Sequence, residues 1–173
     1  IQEIRYAALL ANLPRAAVQS LIDLGDVALL NTDGVMFIRP QSTASMPEPE
    51  EEELTDSPPT DDVVVLGEPL VALIDGVPIQ NHTLLQGRLT LDDPDGLEQR
   101  YASVASRRHG TEMASLIIHG DLLVPSPPIS TRLYVRPVLC CEGTQTHEHF
   151  PPEILLVDYV YRAVRRLYEG EGE

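Results

Sequence analysis

The sequence predicts an α/β protein: a parallel sheet with flanking helices over residues 63–173, preceded by an acidic linker at 41–62 and a small β-α-β-β unit at 1–40. Three observations carry this expectation. "PLVALIDGV" (69–77) is a continuous apolar run ending in Asp-Gly, the pattern of a strand buried on both faces of a parallel sheet. Strand and helix patterns then alternate down to "PPEILLVDYVYRAVRRLYEG" (151–170), which is the order of a layered α/β domain. Between the two parts, "QSTASMPEPEEEELTDSPPTDD" holds Glu48, Glu50, Glu51, Glu52, Glu53, Asp56, Asp61 and Asp62 with no basic residue, a composition that cannot bury enough apolar area to order itself.

The elements follow in chain order. "IRYAALLANL" (4–13) reads as a strand. "PRAAVQSLIDLG" reads as a helix with Pro14 at its first position, Val18, Leu21 and Ile22 at helical spacing, and Gly25 as its stop. "VALLNTDGVMFIRP" (27–40) reads as a hairpin turning at Asp33-Gly34. After the strand at 69–77, an Asp-, Pro- and Gly-rich loop is expected over roughly 91–108. "HGTEMASLII" then makes a helix with Met113, Leu116 and Ile117 on its packed face, and with Gly110 and Ala114 one turn apart for close approach. "TRLYVRPVL" (131–139) is the next strand. In the last helix, Pro152 and Glu153 open, Ile154, Val157, Tyr161, Val164 and Tyr168 form the stripe, Arg162, Arg165 and Arg166 suit the negative end of the dipole, and Gly170 closes.

Composition narrows the function. The net charge is −15, of which the linker carries eight, leaving −7 for the rest. Nucleic acid and anionic membrane both demand clustered cations, so neither is expected as a partner. No apolar run is long enough to span a bilayer. Cys140 and Cys141 are adjacent, a poor arrangement for a disulfide, so a reducing compartment, the cytoplasm, is expected, with secretion as the alternative. The chain starts at Ile1 and reads as a fragment or processed product.

The chemistry is expected where strands end. Asp75 closes the strongest strand, and His109 opens the first convincing helix after it, 34 residues on. A histidine at a helix N-terminus is kept available as a neutral base, and a buried carboxylate opposite would hold its Nδ1-H tautomer and favour the cation formed on proton transfer. Asp75 as orienter and His109 as general base is the expected pair. Neither Ser103, Ser106, Ser126 nor Ser130 has the surroundings of a nucleophile.

"LIDGVPIQNHTLL" and "RHGTEMASLIIHG" resemble the first two catalytic blocks of the subtilisin-like serine proteases, the subtilases. The family's first block is an apolar strand ending in Ile-Asp-Ser/Thr-Gly with a histidine about seven residues on; Ile74, Asp75 and His82 match it. Its second block, Gly-His-Gly-Thr followed by small and apolar residues, is matched by His109, Gly110, Thr111, Ala114, Leu116, Ile117 and Gly120. Gly76-Val77 replaces Ser/Thr-Gly, and Arg108 replaces the glycine before the histidine. The resemblance covers residues 63–173. It implies the first part of a three-layer subtilisin-like catalytic domain, with Asp75 and His109 as two members of a Ser-His-Asp triad and the serine beyond residue 173. The fragment alone would then be inactive. The substrate implied is a protein or peptide, and the nearest partner is the remainder of the same catalytic domain. By the same resemblance Glu142, Gly143 and Thr144 border the substrate, and the 1–40 unit is propeptide-like or accessory. The alternative is a non-catalytic regulatory or interaction domain of that fold, whose acidic linker recruits a basic partner.

No cofactor or metal is expected. His119, His147 and His149 do not have zinc-site spacing. Calcium is common in the family, but Asp92, Asp93 and Asp95 form no complete ligand loop and read better as a solvated turn. His82 reads as local turn packing.

Overall fold

The computed structural model describes residues 6–24, 64–124, 126–143 and 147–170. The expected hairpin at 27–40 and the acidic linker lie outside these residues. Three helices and three strands are present among them: α1 Arg15–Leu24, β1 Val71–Asp75, β2 Leu89–Leu91, α2 Arg108–His119, β3 Leu133–Pro137 and α3 Leu156–Glu169.

The protein is mixed α/β with a small parallel sheet in the order β1-β3-β2. β3 is central: Val71 to Asp75 pair with Leu133 to Pro137 on one side, and Leu89 to Leu91 pair with Leu133 to Val135 on the other. Alternation along β3 sends side chains to opposite faces. Leu133 and Val135 join Leu73, Leu85, Ala114 and Ile118 in a cluster under α2. Arg136 instead faces α3, its guanidinium 5.9 Å from the Tyr159 ring centroid, near a second cluster of Val77, Leu97, Val138, Cys140, Tyr159 and Ala163. α2 and α3 therefore flank the sheet.

Several expectations are corrected. Tyr6–Leu13 has no regular structure rather than being a strand. An apolar run becomes a strand only when another strand satisfies its backbone groups, and no ladder reaches this segment among the described residues. In β1, Leu73 and Asp75 are buried but Val71 and Ala72 are exposed, because among the described residues β1 lies at the sheet edge with β3 as its one neighbour. β2 lies just before the expected loop and ends at its first residue, Leu91, and two short 3₁₀ turns, Leu97–Arg100 and Ala105–Arg107, interrupt the loop itself.

The packed face of α2 agrees with expectation at Met113 and Ile117, which pack on the core cluster, and at the close-approach pair Gly110 and Ala114, but not at Leu116. Gly110, Thr111, Ala114 and Ile118 are buried, whereas Leu116 is 55% exposed. Small residues face the sheet because the helix comes so close to it. A Cβ on Gly110 would sit 2.7 Å from the Gly76 carbonyl oxygen. The helix ends at Gly120, whose φ of 71° lies in the region that favours glycine and whose amide bonds back to Leu116.

α3 starts at Leu156 and not at Pro152, since a turn from Pro151 to Ile154 precedes it and Glu153 is drawn to Arg100. Its buried residues are Tyr159 and Ala163; of the expected stripe, Ile154 packs on the second cluster from the turn before the helix, Val157 and Val164 are 40% and 38% exposed, and Tyr168 is 85% exposed. Charged contacts replace that stripe as the anchor. Arg166 donates to both oxygens of Asp92 at 2.6 and 2.9 Å, a bidentate geometry that fixes α3 against the loop after β2. Arg136, only 3% exposed, pairs with Asp95 and donates to the Pro137 carbonyl at 3.0 Å.

Candidate functional site

The C-terminal end of β1 and the N-terminal end of α2 meet at one rim of the sheet. Asp75 is 8% exposed. Its Oδ1 accepts a bond from the Gly76 amide at 2.7 Å, and its Oδ2 lies 3.3 Å from a ring nitrogen of His109. Burial pushes the Asp75 carboxyl above its ordinary value, while the Gly76 amide and the His109 charge act the other way. The Asp75 carbonyl accepts from the amides of Val138 and Leu139, so the turn after β1 is tied to the end of β3.

Three contacts hold the turn after β1 against α2 and the loop that precedes it. The first is the bare Cα of Gly110 against the Gly76 carbonyl. The second is Thr111, whose hydroxyl donates to the Arg107 carbonyl at 2.7 Å and accepts from the Ile79 amide at 2.9 Å. Third, the Val77 amide donates to the Tyr101 hydroxyl at 3.1 Å. Gly110 and Thr111 belong to the quoted His-Gly-Thr, so that tripeptide has a local explanation: the histidine needs a neighbour with no side chain and then a hydroxyl to hold the facing turn.

The nitrogen facing Asp75 is Nε2, whereas the expected partner was Nδ1. The His109 side chain is 36% exposed.

Glu148 and Tyr101, which the sequence reading passed over, complete the site. The Tyr101 hydroxyl bonds to a Glu148 carboxyl oxygen and to the Leu139 carbonyl at 3.2 Å. Arg107 stacks 5.4 Å from the Tyr101 ring centroid. The Glu148 carboxyl lies over Gly76, so close that a Cβ there would fall 1.9 Å from its Oε1. Gly76, which departs from Ser/Thr of the resembled motif, leaves the space this carboxyl fills. That departure was the one signal in the sequence that could have pointed to a substitute group.

The other candidates are placed as follows. Glu142 is paired with Arg100, and Gly143 turns with φ 61°, while Thr144 lies outside the described residues. The backbone edge at Cys140 is already used, by an antiparallel bridge to His149. His82 Nδ1 accepts from the Leu84 amide at 3.4 Å, a local turn contact. His119 bonds the Leu84 carbonyl, and His149 lies 4.0 Å from the Cys140 sulfur. Ser103 and Ser106 bond each other, and Ser126 donates to the His119 carbonyl. Asp92, Asp93 and Asp95 do lie in a turn, closed by the Gly96 amide on the Asp93 carbonyl and exposed at Pro94 and Asp95, but their carboxylates are partnered: Asp92 takes Arg166 and Tyr134, Asp95 takes Arg136, and Asp93 accepts the amides of Leu97 and Glu98. Among the described residues, no group of three His, Cys, Asp or Glu side chains is arranged to hold a metal ion. No described helix is long and apolar enough to cross a membrane.

Comparison of the chain with protein-family models, with curated proteins and with solved structures gave no match.

Proposed function

We propose that this chain is the N-terminal portion of a subtilisin-like serine endopeptidase catalytic domain, supplying two of three catalytic residues. The observation that carries the reading is the meeting of Asp75 and His109 at 3.3 Å, with the carboxylate at a parallel strand end and the imidazole at a helix start. His109 takes the proton of a serine hydroxyl as that oxygen attacks the peptide carbonyl, and then gives it to the leaving amine. Asp75 orients the ring and offsets the positive charge it acquires. For this the ring turns so that Nδ1 faces Asp75 and Nε2 faces the serine. The serine belongs to chain beyond residue 173, and the present residues alone do not hydrolyse peptides. Exposed Leu70 and Val71 at the outer edge of β1, and exposed Tyr168 on α3, fit a sheet that more chain is to cover.

One observation favours a second reading. With Nε2 on Asp75, the pair as it stands is a structural contact, in keeping with a non-catalytic domain that retains this fold. A fluorophosphonate probe applied to a chain extended past residue 173 separates the two. Labelling of a serine that is lost in His109→Ala supports the protease. A folded, extended protein that takes no label overturns it.

A further inference from the structure

We infer that Glu148 is a positioning residue of the Asp75–His109 pair: through Tyr101 and over the bare Cα of Gly76, it couples the loop following β3 to the turn that carries the aspartate. The inference deepens the proposed function and rests on the same pair acting as an acid–base couple.

The geometry makes the coupling short. Glu148 sits one residue before His149, whose backbone bridges to Cys140, so the loop's stem is held to the end of β3. From there its carboxyl bonds the Tyr101 hydroxyl, and that hydroxyl accepts from the Val77 amide two residues after Asp75. The chain of contacts thus runs Glu148, Tyr101, Val77, Asp75.

Electrostatics adds a second link. The groups acting on Glu148 are Tyr101 from the loop before α2, Asp75 from β1 and His109 from α2. Burial and the Asp75 charge favour its neutral form, and Tyr101 and His109 oppose them. Its Oε2 is buried with no hydrogen-bond partner, a position a neutral carboxyl tolerates better than an ionised one.

Three variants test this. Glu148→Gln keeps the shape and removes the titration; Glu148→Ala removes both; Gly76→Ala displaces the carboxyl and the Tyr101 hydroxyl together, since the new Cβ would lie 1.9 Å from Oε1 and 2.8 Å from that hydroxyl. Glu148→Ala and Gly76→Ala are expected to speed hydrogen exchange of the Val77 amide by about five-fold or more. Glu148→Gln leaves that exchange within about two-fold of the parent. In the parent protein, the inflection in the Glu148 carboxyl ¹³C shift with pH recurs in the His109 ring ¹⁵N shifts, and it vanishes in Glu148→Gln. Superimposable His109 curves in the parent and Glu148→Gln overturn the inference, as does unchanged Val77 exchange in Gly76→Ala. No readout needs hydrolysis, so absence of protease activity leaves this result standing, and its failure is visible even where the serine is labelled.

Discussion

Replacing Gly110 by alanine tests what holds the aspartate and histidine together. The added Cβ would lie 2.7 Å from the Gly76 carbonyl oxygen, 2.9 Å from its carbon and 3.3 Å from the Pro78 nitrogen. All three are backbone atoms and cannot swing aside. Ordinary contact begins at 3.4 Å, so helix and turn must part by about 0.7 Å. Added to the present 3.3 Å, that puts His109 and Asp75 about 4.0 Å apart, outside hydrogen-bonding range. Overpacking costs ~1–3 kcal/mol. Exchanging glycine for alanine inside a helix returns ~1 kcal/mol. A net loss of about 1 kcal/mol is therefore expected. Urea unfolding measures the loss as a lower midpoint at unchanged slope, and ¹⁵N spectra of the His109 ring report loss of the contact. A variant stabilised by the whole propensity gain, with its histidine signals unmoved, would refute the close approach of α2 to the turn.

Asp75→Asn should be more stable than the parent at neutral pH. Burial raises the folded carboxyl above its unfolded value of about 3.9; its contribution is favourable below that value and is lost as pH rises through the folded one. The advantage of the variant should disappear below about pH 4, and equal stabilities at pH 7 would contradict it. Ile118→Ala should cost about 2–5 kcal/mol, since that side chain is 1% exposed in the cluster under α2. Leu116→Ala should stay within about 0.5 kcal/mol, and comparable losses in chemical unfolding would restore the face that periodicity selects. Burial pushes the Cys140 thiol up to about 11, and Cys141 is fully buried. Both should resist a thiol-reactive dye at pH 8 until the protein unfolds; fast labelling of the native chain would show that the end of β3 is open.

The legible elements were those whose cause is local. β1, β3 and the core of α2 and α3 were visible because apolar runs, glycine stops and strand-end aspartates act within a few residues. Gly120 and Gly170 end α2 and α3 by left-handed backbone, a property written into one residue type. The faces of the same helices were legible only in part: in α2, Met113, Ile117, Gly110 and Ala114 pack as expected, whereas Leu116 does not. Periodicity counts apolar bulk, but α2 packs through Gly110, Thr111 and Ala114 because the facing turn lies too close for bulk. α3 is anchored partly through Arg166, whose carboxylate partner Asp92 lies 74 residues away. β2 was hidden because three residues give no pattern of their own and owe their conformation to β3.

The sequence by itself determined that a carboxylate would end a parallel strand and an imidazole would open a helix, because each position depends on signals within its own segment. Only the tertiary structure decided that Nε2 turns to Asp75, that Glu148 fills the space over Gly76, and that Glu142 is bound to Arg100. These are contacts between segments distant in the chain. Their partners are chosen by the packing of the sheet rim, and no local pattern encodes that choice.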